Sequence, residues 1–150
     1  MFHCEGDEFH SDISTIRTDS GMIMTARVRH ADVLVIDDED DIRRSVSEIL
    51  RFSGFGVAEA EDGEIAFGLL SEFGYGMVLL DIRMPIRDGI SLMEAFDEVP
   101  PVVVYSASAL DAGERSRLGS KVVRYLRKPV SPEELLSVVQ DVIGIGHGVT

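Results

Sequence analysis

From residue 32 onward, short apolar runs alternate with longer amphipathic stretches. The apolar runs are four or five residues long and are rich in valine, isoleucine and leucine. Their apolar residues are nearly continuous rather than alternating with polar ones, which is typical of strands buried on both faces of a parallel sheet. The pattern therefore predicts five strands, at residues 33–36, 55–58, 77–80, 102–105 and 122–126.

The stretches between these runs have helical periodicity. Apolar residues recur three or four positions apart, so they share one face of each predicted helix. These faces comprise Ile42, Val46, Ile49 and Leu50 in the first helix, Ile65, Leu69, Leu70 and Phe73 in the second, and Leu135, Leu136, Val139, Val142 and Ile143 in the last. The third helix is predicted to be short, over about residues 89–96, and the fourth, around 111–118, is weakly amphipathic.

The order of these elements predicts the fold class. Gly54 falls where the first helix should end, while Ser131 and Pro132 open the last helix as its cap and its first-turn proline. Strand and helix follow each other five times. This alternation predicts a doubly wound α/β domain with a five-stranded parallel sheet, in which right-handed crossovers place helices on both faces.

The two ends of the chain lack this pattern. Residues 1–30 are polar and weakly patterned, so we predict a disordered N-terminal tail there, followed by a domain over 31–146 and a short C-terminal tail over 147–150. The chain ends soon after the last predicted helix. We therefore expect that no DNA-binding or enzymatic domain follows it, so that its effects depend on contacts with other proteins, on group transfer to them, or on a further domain that lies outside this sequence.

Composition and charge exclude several classes of partner. The chain has 150 residues, with 27 acidic against 14 basic side chains and a formal net charge of −13. Such a surface repels phosphate backbones, so we expect no direct nucleic-acid binding. No apolar run approaches the ~20 residues that a membrane span requires. Cys4 is the single cysteine, which precludes an intrachain disulfide and favours a cytoplasmic location.

Polar side chains follow four of the five predicted strands. Asp37 and Asp38 follow the first strand, Asp81 the third, Ser106 the fourth and Lys128 the fifth. Ligands of open parallel sheets bind beyond the carboxyl ends of the strands, so these groups should meet at one edge. Carboxylates within about 4 Å repel each other by roughly 4 kcal/mol at an effective dielectric of 20. A hard divalent cation relieves that repulsion, and Mg²⁺ is the ion that this oxygen-rich set suits best.

The same set of groups suits phosphoryl transfer. An aspartate carboxylate can act as the nucleophile and form an acyl phosphate. Charge on the transferring group would then be neutralised by the cation and by a lysine and a hydroxyl beside it.

Four segments of the chain resemble the signature blocks of response-regulator receiver domains. These segments are VLVIDDEDD at 33–41, LLDIRMPIRDG at 79–89, VVVYSAS at 102–108 and YLRKPV at 125–130. Their order and spacing match the family, and together they cover nearly all of residues 32–143. The resemblance implies a flavodoxin-like fold with strand order 2-1-3-4-5.

The resemblance also implies the roles of the site residues. Asp81 would be the phosphoacceptor, and Asp37 and Asp38 would bind Mg²⁺ together with Asp81. The backbone carbonyl of Arg83 would be a further metal ligand. Lys128 would pair with the phosphoryl group, and the Lys128–Pro129 peptide bond would be cis.

The switch implied by the resemblance involves a hydroxyl and an aromatic ring. Ser106 would swing toward the phosphoryl group, and Tyr125 would turn into the space that Ser106 leaves. This would repack the face formed by the fourth helix, the fifth strand and the fifth helix. The implied partners are a histidine kinase or phosphotransfer protein, an unknown output protein, and a second copy of the chain after phosphorylation.

Two residues depart from the family pattern. Arg83 lies two positions after the phosphoacceptor, where we expect its side chain at the mouth of the site. Together with Ser108, it should tune how long the phosphoryl group survives. Our hypothesis is that Arg83 screens the acyl phosphate from water and lengthens its life. Tyr105 is bulky for its place at a strand end, and the sequence does not indicate its contacts.

Less specific interpretations remain beside this one. Glu39, Asp40 and Asp41 are better explained as a solvated first helical turn than as metal ligands. A haloacid-dehalogenase-type phosphatase would need an acid at position 83, and a flavin carrier would need a glycine- and hydroxyl-rich loop instead of the acidic run at 37–41. A degenerate receiver that serves only as a scaffold is disfavoured because all five core residues are present.

Overall fold

The structure is a computed structural model that describes residues 13–17, 23–27, 29–84 and 88–144. Its strands are β1 (Ile13–Arg17), β2 (Ile23–Arg27), β3 (Arg29–Ile36), β4 (Val57–Ala60), β5 (Gly74–Leu80), β6 (Val102–Ser106) and β7 (Val122–Arg127). Its α-helices are α1 (Asp40–Phe52), α2 (Gly63–Glu72), α3 (Gly89–Glu94), α4 (Ala112–Leu118) and α5 (Pro132–Ile143), and a 3₁₀ turn spans Gly119–Lys121.

The central sheet has five parallel strands in the order β4-β3-β5-β6-β7. Counted from β3, this is the order 2-1-3-4-5, so the predicted flavodoxin-like α/β fold is confirmed. The crossovers place α1 and α5 against one face of the sheet and α2, α3 and α4 against the other.

Successive residues of the inner strands point to opposite faces of the sheet. Val33 and Val35 of β3 pack in the layer that contains α1 and α5. Leu34 and Ile36 pack in the layer that contains α2, α3 and α4. Because both faces are covered, these strands must be apolar throughout, which explains the continuous apolar runs of the sequence.

The second strand of the sheet differs from its prediction. It spans Val57–Ala60 rather than 55–58. Phe55 is buried but precedes the strand, and the carbonyl of Gly56 accepts hydrogen bonds from Asp32 and Val33. The prediction stopped before Glu59 because that residue is charged, although arginines of α1 neutralise it in the structure.

The helix termini follow the local sequence. The side chain of Ser131 accepts a hydrogen bond from the backbone N–H of Glu134, and Pro132 begins α5. Gly54, just after α1, has a φ of 99°, which glycine adopts without the strain that a Cβ would cause. The third helix ends at Glu94, two residues before its predicted end at residue 96.

The N-terminal segment contains a hairpin that the sequence pattern did not predict. Strands β1 and β2 pair antiparallel, with Thr15 opposite Thr25, so the prediction of a disordered tail is wrong for these two strands. Isoleucine and threonine favour strands, but the runs are too short and polar to indicate burial. Arg29 and His30, which also fall in the predicted tail, begin β3. The other residues of the predicted tails at 1–30 and 147–150 lie outside the described residues, and the domain limits of 31–146 stay a prediction.

Candidate functional site

The carboxyl ends of β3, β5, β6 and β7 bring the predicted polar residues to one edge of the sheet. The backbone N–H of Asp81 donates to the carbonyl of Ile36 at 2.9 Å, and the N–H of Lys128 donates to the carbonyl of Ser106 at 2.9 Å. These bonds continue the strand pairing for one residue and thereby fix the side chains of Asp81 and Lys128 beside their neighbours. The Lys128–Pro129 peptide bond is cis, as the resemblance implied.

Lys128 lies at the centre of the site. Its Nζ is 3.0 Å from Oδ2 of Asp37, 3.3 Å from Oδ2 of Asp81 and 3.3 Å from Oε1 of Glu39. Burial acts to lower the pKa of Lys128, but hydrogen bonds and charge from Asp37 and Asp81 outweigh it, so the pKa is raised. The lysine is therefore a fixed cation surrounded by three carboxylates, which leaves the cluster with excess negative charge.

The ionised form of Asp81 is destabilised by its buried position beside Asp37. It is buried, with 4% of its surface exposed, and burial raises its pKa to about 6. The charge of Asp37 raises the pKa further, whereas Lys128 and the backbone N–H of Arg83, 3.1 Å from Oδ1, act to lower it. Asp81 is thus a partly compensated buried acid, which is characteristic of a reactive carboxylate.

Asp37, Asp38 and Asp81 could hold a metal ion together. Each offers a carboxylate oxygen, and these oxygens lie within 4.8 Å of one another. Asp37 and Asp81 are buried, whereas Asp38 is more accessible. Closely spaced hard oxygen ligands with one open side suit Mg²⁺, which keeps several waters when it binds to proteins. The donor set fits the predicted ion, while the role of the Arg83 carbonyl stays a prediction.

The two predicted switch residues occupy different surroundings. Ser106 ends β6, is 2% exposed, and its Oγ accepts a hydrogen bond from the N–H of Ser108 at 3.3 Å. Tyr125 of β7 is half-buried, and the guanidinium of Arg115 lies 4.0 Å from the centre of its ring. Because Arg115 belongs to α4, this contact joins Tyr125 to one of the helices of the face that was predicted to repack.

Arg83 contacts Ser108 and Glu114, and neither contact was predicted. Its Nη1 and Nη2 pair with Glu114 of α4 at 2.7 and 3.2 Å, and its Nε donates to Ser108 Oγ at 3.2 Å. Glu114 also accepts from the N–H of Asp111 in the capping box of α4. The hydrogen bond from Arg83 lowers the pKa of Glu114 to about 2. Residues 83 and 114 are far apart in sequence, so no local pattern indicates this pair.

Three site residues were missed or given a different role from the sequence. Tyr105 donates its hydroxyl hydrogen bond to Oδ2 of Asp37 at 2.6 Å. Arg43 donates to the backbone carbonyl of Asp37 at 2.8 Å. Glu39 is exposed at the N-terminus of α1, as a solvated turn requires, but its carboxylate also contacts Lys128. In the segment at 102–108 the family resemblance points to Ser106 and not to Tyr105, whose hydroxyl meets Asp37 only once β3 and β6 lie in the same sheet.

Comparison with known proteins identifies the relatives of this chain. The family model of the response regulator receiver domain matches residues 33–140. The transcriptional regulatory protein SrrA of Staphylococcus aureus is 32% identical over 107 residues, which cover 70% of this chain and 44% of that protein. The chain thus spans less than half the length of these curated relatives.

Solved structures of receiver domains have the same fold. The Francisella response regulator 1452 receiver domain is 30% identical, with a TM-score of 0.68 over 76% of this chain and 97% of that one. Chemotaxis protein CheY4 of Vibrio cholerae is 28% identical, with a TM-score of 0.66 over 75% and 98%. The receiver domain of sensor histidine kinase PA1611 of Pseudomonas aeruginosa, with a magnesium ion in its active-site cleft, is 26% identical, with a TM-score of 0.67 over 75% and 97%.

Proposed function

Because the chain belongs to the response regulator receiver domain family of two-component systems, we propose that it is a phosphorylation switch in which Asp81 accepts a phosphoryl group. Receiver domains are generally signalling switches rather than classical enzymes, and they interact with histidine kinases or phosphotransfer proteins. One of these is the proposed donor to Asp81. No helix among the described residues could cross a membrane.

The observation that carries this proposal is the imbalance of charge around Asp81. One ammonium group, that of Lys128, contacts Asp81, Asp37 and Glu39. A structural ion pair does not require this excess of negative charge. A site that must bind a cation and then a dianionic phosphoryl group benefits from it, because carboxylates hold the cation that the phosphoryl group requires.

The transfer itself follows from the chemistry of the donor and the acceptor. A carboxylate oxygen of Asp81 attacks the phosphorus, and the bond between phosphorus and the donor's imidazole nitrogen breaks. The imidazole leaves with the electron pair of that bond. Mg²⁺ held by Asp37, Asp38 and Asp81 would neutralise the phosphoryl oxygens. Lys128 lies 3.3 Å from Asp81 Oδ2, and it would follow the new negative charge by moving its ammonium a short distance.

We assign the output to the face formed by α4, β7 and α5. Movement of Ser106 toward the phosphoryl group would open space beside β6, and Tyr125 would turn inward to fill it. The Tyr125 ring would then leave Arg115, which it contacts at 4.0 Å in this structure. This face would present a changed surface to the output protein or to a second copy of the chain.

The proposal is tested by intact-protein mass after incubation with acetyl phosphate, with and without Mg²⁺. We expect one added phosphoryl group in wild type, none without Mg²⁺, and none in Asp81→Asn. Asp62→Asn is the matched control, because Asp62 also follows a strand of the sheet but only caps α2 through the N–H of Ile65. Asparagine caps helices as well as aspartate does, so this variant should be phosphorylated like wild type. Equal phosphorylation of Asp81→Asn would refute the assignment.

A further inference from the structure

Tyr105 reaches the site from inside the core. Tyr105 is 1% exposed, and it packs with Val103 and Leu126 in the layer between the sheet and the helices α1 and α5. Only its hydroxyl reaches the polar edge of the sheet, where it lies 2.6 Å from Asp37 Oδ2. A phenolic hydroxyl carries its proton at neutral pH, so Tyr105 can donate to the Asp37 carboxylate at this distance.

The hydrogen bonds of Asp37 determine how it can bind a cation. Its Oδ1 accepts from the backbone N–H of Glu39 at 2.9 Å. Its Oδ2 accepts from the Tyr105 hydroxyl at 2.6 Å and from Lys128 Nζ at 3.0 Å. A carboxylate has about four lone-pair positions, two on each oxygen. The donors therefore occupy both positions of Oδ2 and one of Oδ1, and the free position for a cation is on Oδ1.

The two donors to Oδ2 differ in how firmly they are bound to it. Lys128 shares its ammonium with Asp81 and Glu39, each at 3.3 Å, and under the proposed function it follows the phosphoryl group. Tyr105 has a single hydroxyl proton, which it donates to Asp37 at the shortest distance in the cluster. Its ring also lies 4.7 Å from Lys128 Nζ, so it limits where the ammonium can move. Tyr105 is therefore the lasting partner of Oδ2.

We propose that Tyr105 is a positioning residue for Mg²⁺, whose hydroxyl fixes the Asp37 carboxylate so that Oδ1 faces the cation throughout the phosphorylation cycle. This inference rests on the proposed function, because it requires Mg²⁺ at Asp37, Asp38 and Asp81. Partners that orient a metal-binding carboxylate are worth about 10- to 100-fold in metal affinity. Asp37 keeps the N–H of Glu39 as a second anchor, so we expect the lower end of this range.

The test is the dissociation constant of Mg²⁺ alone, measured from amide NMR shifts during a titration at constant ionic strength. We expect Tyr105→Phe to weaken binding about tenfold, because the ring stays and only the hydroxyl is removed. Tyr75→Phe is the matched control: Tyr75 is 6% exposed, and its hydroxyl has no hydrogen-bond partner among the described residues. That variant should bind Mg²⁺ like wild type. Unchanged or tighter binding in Tyr105→Phe would overturn the inference.

A second measurement uses the unaltered protein. The hydroxyl proton of Tyr105, buried and bonded to a carboxylate, should give a slowly exchanging downfield NMR signal that persists when Mg²⁺ saturates the site. Loss of that signal on saturation would show that Tyr105 leaves Asp37 when the cation binds, which would overturn the positioning role even if the variant were unfolded.

Failure of the inference and failure of the proposed function give different results. If wild type binds Mg²⁺ and Asp38→Asn loses it, but Tyr105→Phe binds normally, only the role of Tyr105 is rejected. If wild type does not bind Mg²⁺, the metal site of the proposed function is rejected together with the role of Tyr105. Urea unfolding without Mg²⁺ shows whether each variant is folded.

Discussion

Two clusters of charged residues lie on either side of the first turn of α1, and they are built differently. The Lys128 cluster has one cation and three carboxylates: Lys128, Asp37, Glu39 and Asp81. The Arg43 cluster has two cations and two carboxylates: Arg43, Arg51, Asp40 and Glu59. Both clusters join α1 or its N-terminus to strands of the sheet, but only the second one is balanced in charge.

The balanced cluster is also the one with fixed geometry. Arg43 uses Nε, Nη1 and Nη2 on Glu59, the Asp37 carbonyl and Asp40, at 3.1, 2.8 and 2.7 Å. Arg51 pairs with Glu59 and also donates to the Val57 carbonyl at 3.1 Å. Planar guanidinium groups suit such fixed contacts, whereas a lysine ammonium is a point charge that can change partners. The comparison indicates a structural role for the Arg43 cluster and a chemical role for the Lys128 cluster.

Among the variants that distinguish the two clusters, Lys128→Ala should have the largest effect, which is on the rate of phosphorylation. Lys128 is the only cation among the described residues that forms an ion pair with Asp81, so phosphorylation by acetyl phosphate should slow by about 100- to 1000-fold without the ammonium. The rate is measured from the mass of the protein over time. Arg51→Ala removes a cation from the other cluster and should leave the rate within about twofold of wild type. An equal loss in both variants would remove the functional distinction between the clusters.

The Arg43 cluster should instead control stability. The Arg43 side chain is 8% exposed, and its removal takes the guanidinium donor from Asp40 and from the buried carbonyl of Asp37, and one of two arginine partners from Glu59. Breaking such a pair costs about 3–5 kcal/mol of unfolding free energy, and we expect the lower value for Arg43→Ala because Arg51 still contacts Glu59. Arg51→Ala, whose side chain is 48% exposed, should cost less than about 1 kcal/mol.

Urea unfolding of the two arginine variants measures both values. A cost for Arg43→Ala no larger than that for Arg51→Ala would show that the buried contacts of Arg43 are not stabilising, and the structural role of its cluster would be withdrawn.

The same contrast explains how much of the fold was predictable. Strands buried on both faces must be apolar, so β3, β5 and β6 are visible as runs of apolar residues. Glu59 of β4 is tolerated because Arg43 and Arg51 neutralise it, and their positions on α1 cannot be inferred from the strand itself. The predicted boundaries of β4 were therefore two residues too early. The β1–β2 hairpin was missed because its strands contain no continuous apolar run.

The part of the candidate site that was predictable consists of the residues that directly follow strands. Asp37, Asp81 and Lys128 each follow a strand, and the parallel order brings them together. The contact between Tyr105 and Asp37 joins residues 68 positions apart, and it depends on the length and direction of a side chain. The pair of Arg83 and Glu114 depends in the same way on how α4 packs, so the strand-end rule cannot give it.

Asp81→Asn tests the excess negative charge of the Lys128 cluster through the pH dependence of the free energy of unfolding. Its carboxyl has a pKa near 3.8 in the unfolded chain and about 6 in the folded protein. As the pH rises from 3.8 to about 6, Asp81 loses its proton in the unfolded state before it does so in the folded state. The free energy of unfolding therefore falls over this range and stays at the lower value above about pH 6. Removing the charge should stabilise the protein by about 1–2 kcal/mol at pH 7.5, after allowance for solvent screening.

The measurement is urea unfolding without Mg²⁺ between pH 4 and pH 7.5. The gain from Asp81→Asn should shrink as the pH falls below about 6, because wild type then protonates Asp81 in the folded state. Asp62→Asn, which keeps its helix cap, should give no comparable gain. A destabilised Asp81→Asn variant at pH 7.5 would mean that the Lys128 cluster is balanced after all.

The smallest expected effect concerns Arg83, which lies between the site and α4. Its guanidinium is paired with Glu114 of α4 and with Ser108, and the negative charge of Asp81 also acts on it, so it remains near Asp81 while its main partner lies on α4. We predict that it screens the acyl phosphate from water, and that Arg83→Ala speeds dephosphorylation by about two- to fivefold, the size expected for an exposed charged group. Glu114→Gln is the matched variant, because it keeps Arg83 but replaces the ion pair that holds it to α4 with a neutral acceptor. If the side chain shields the site only while it is held, both variants should lose phosphate faster, whereas an unchanged rate in Arg83→Ala would reject the screening role.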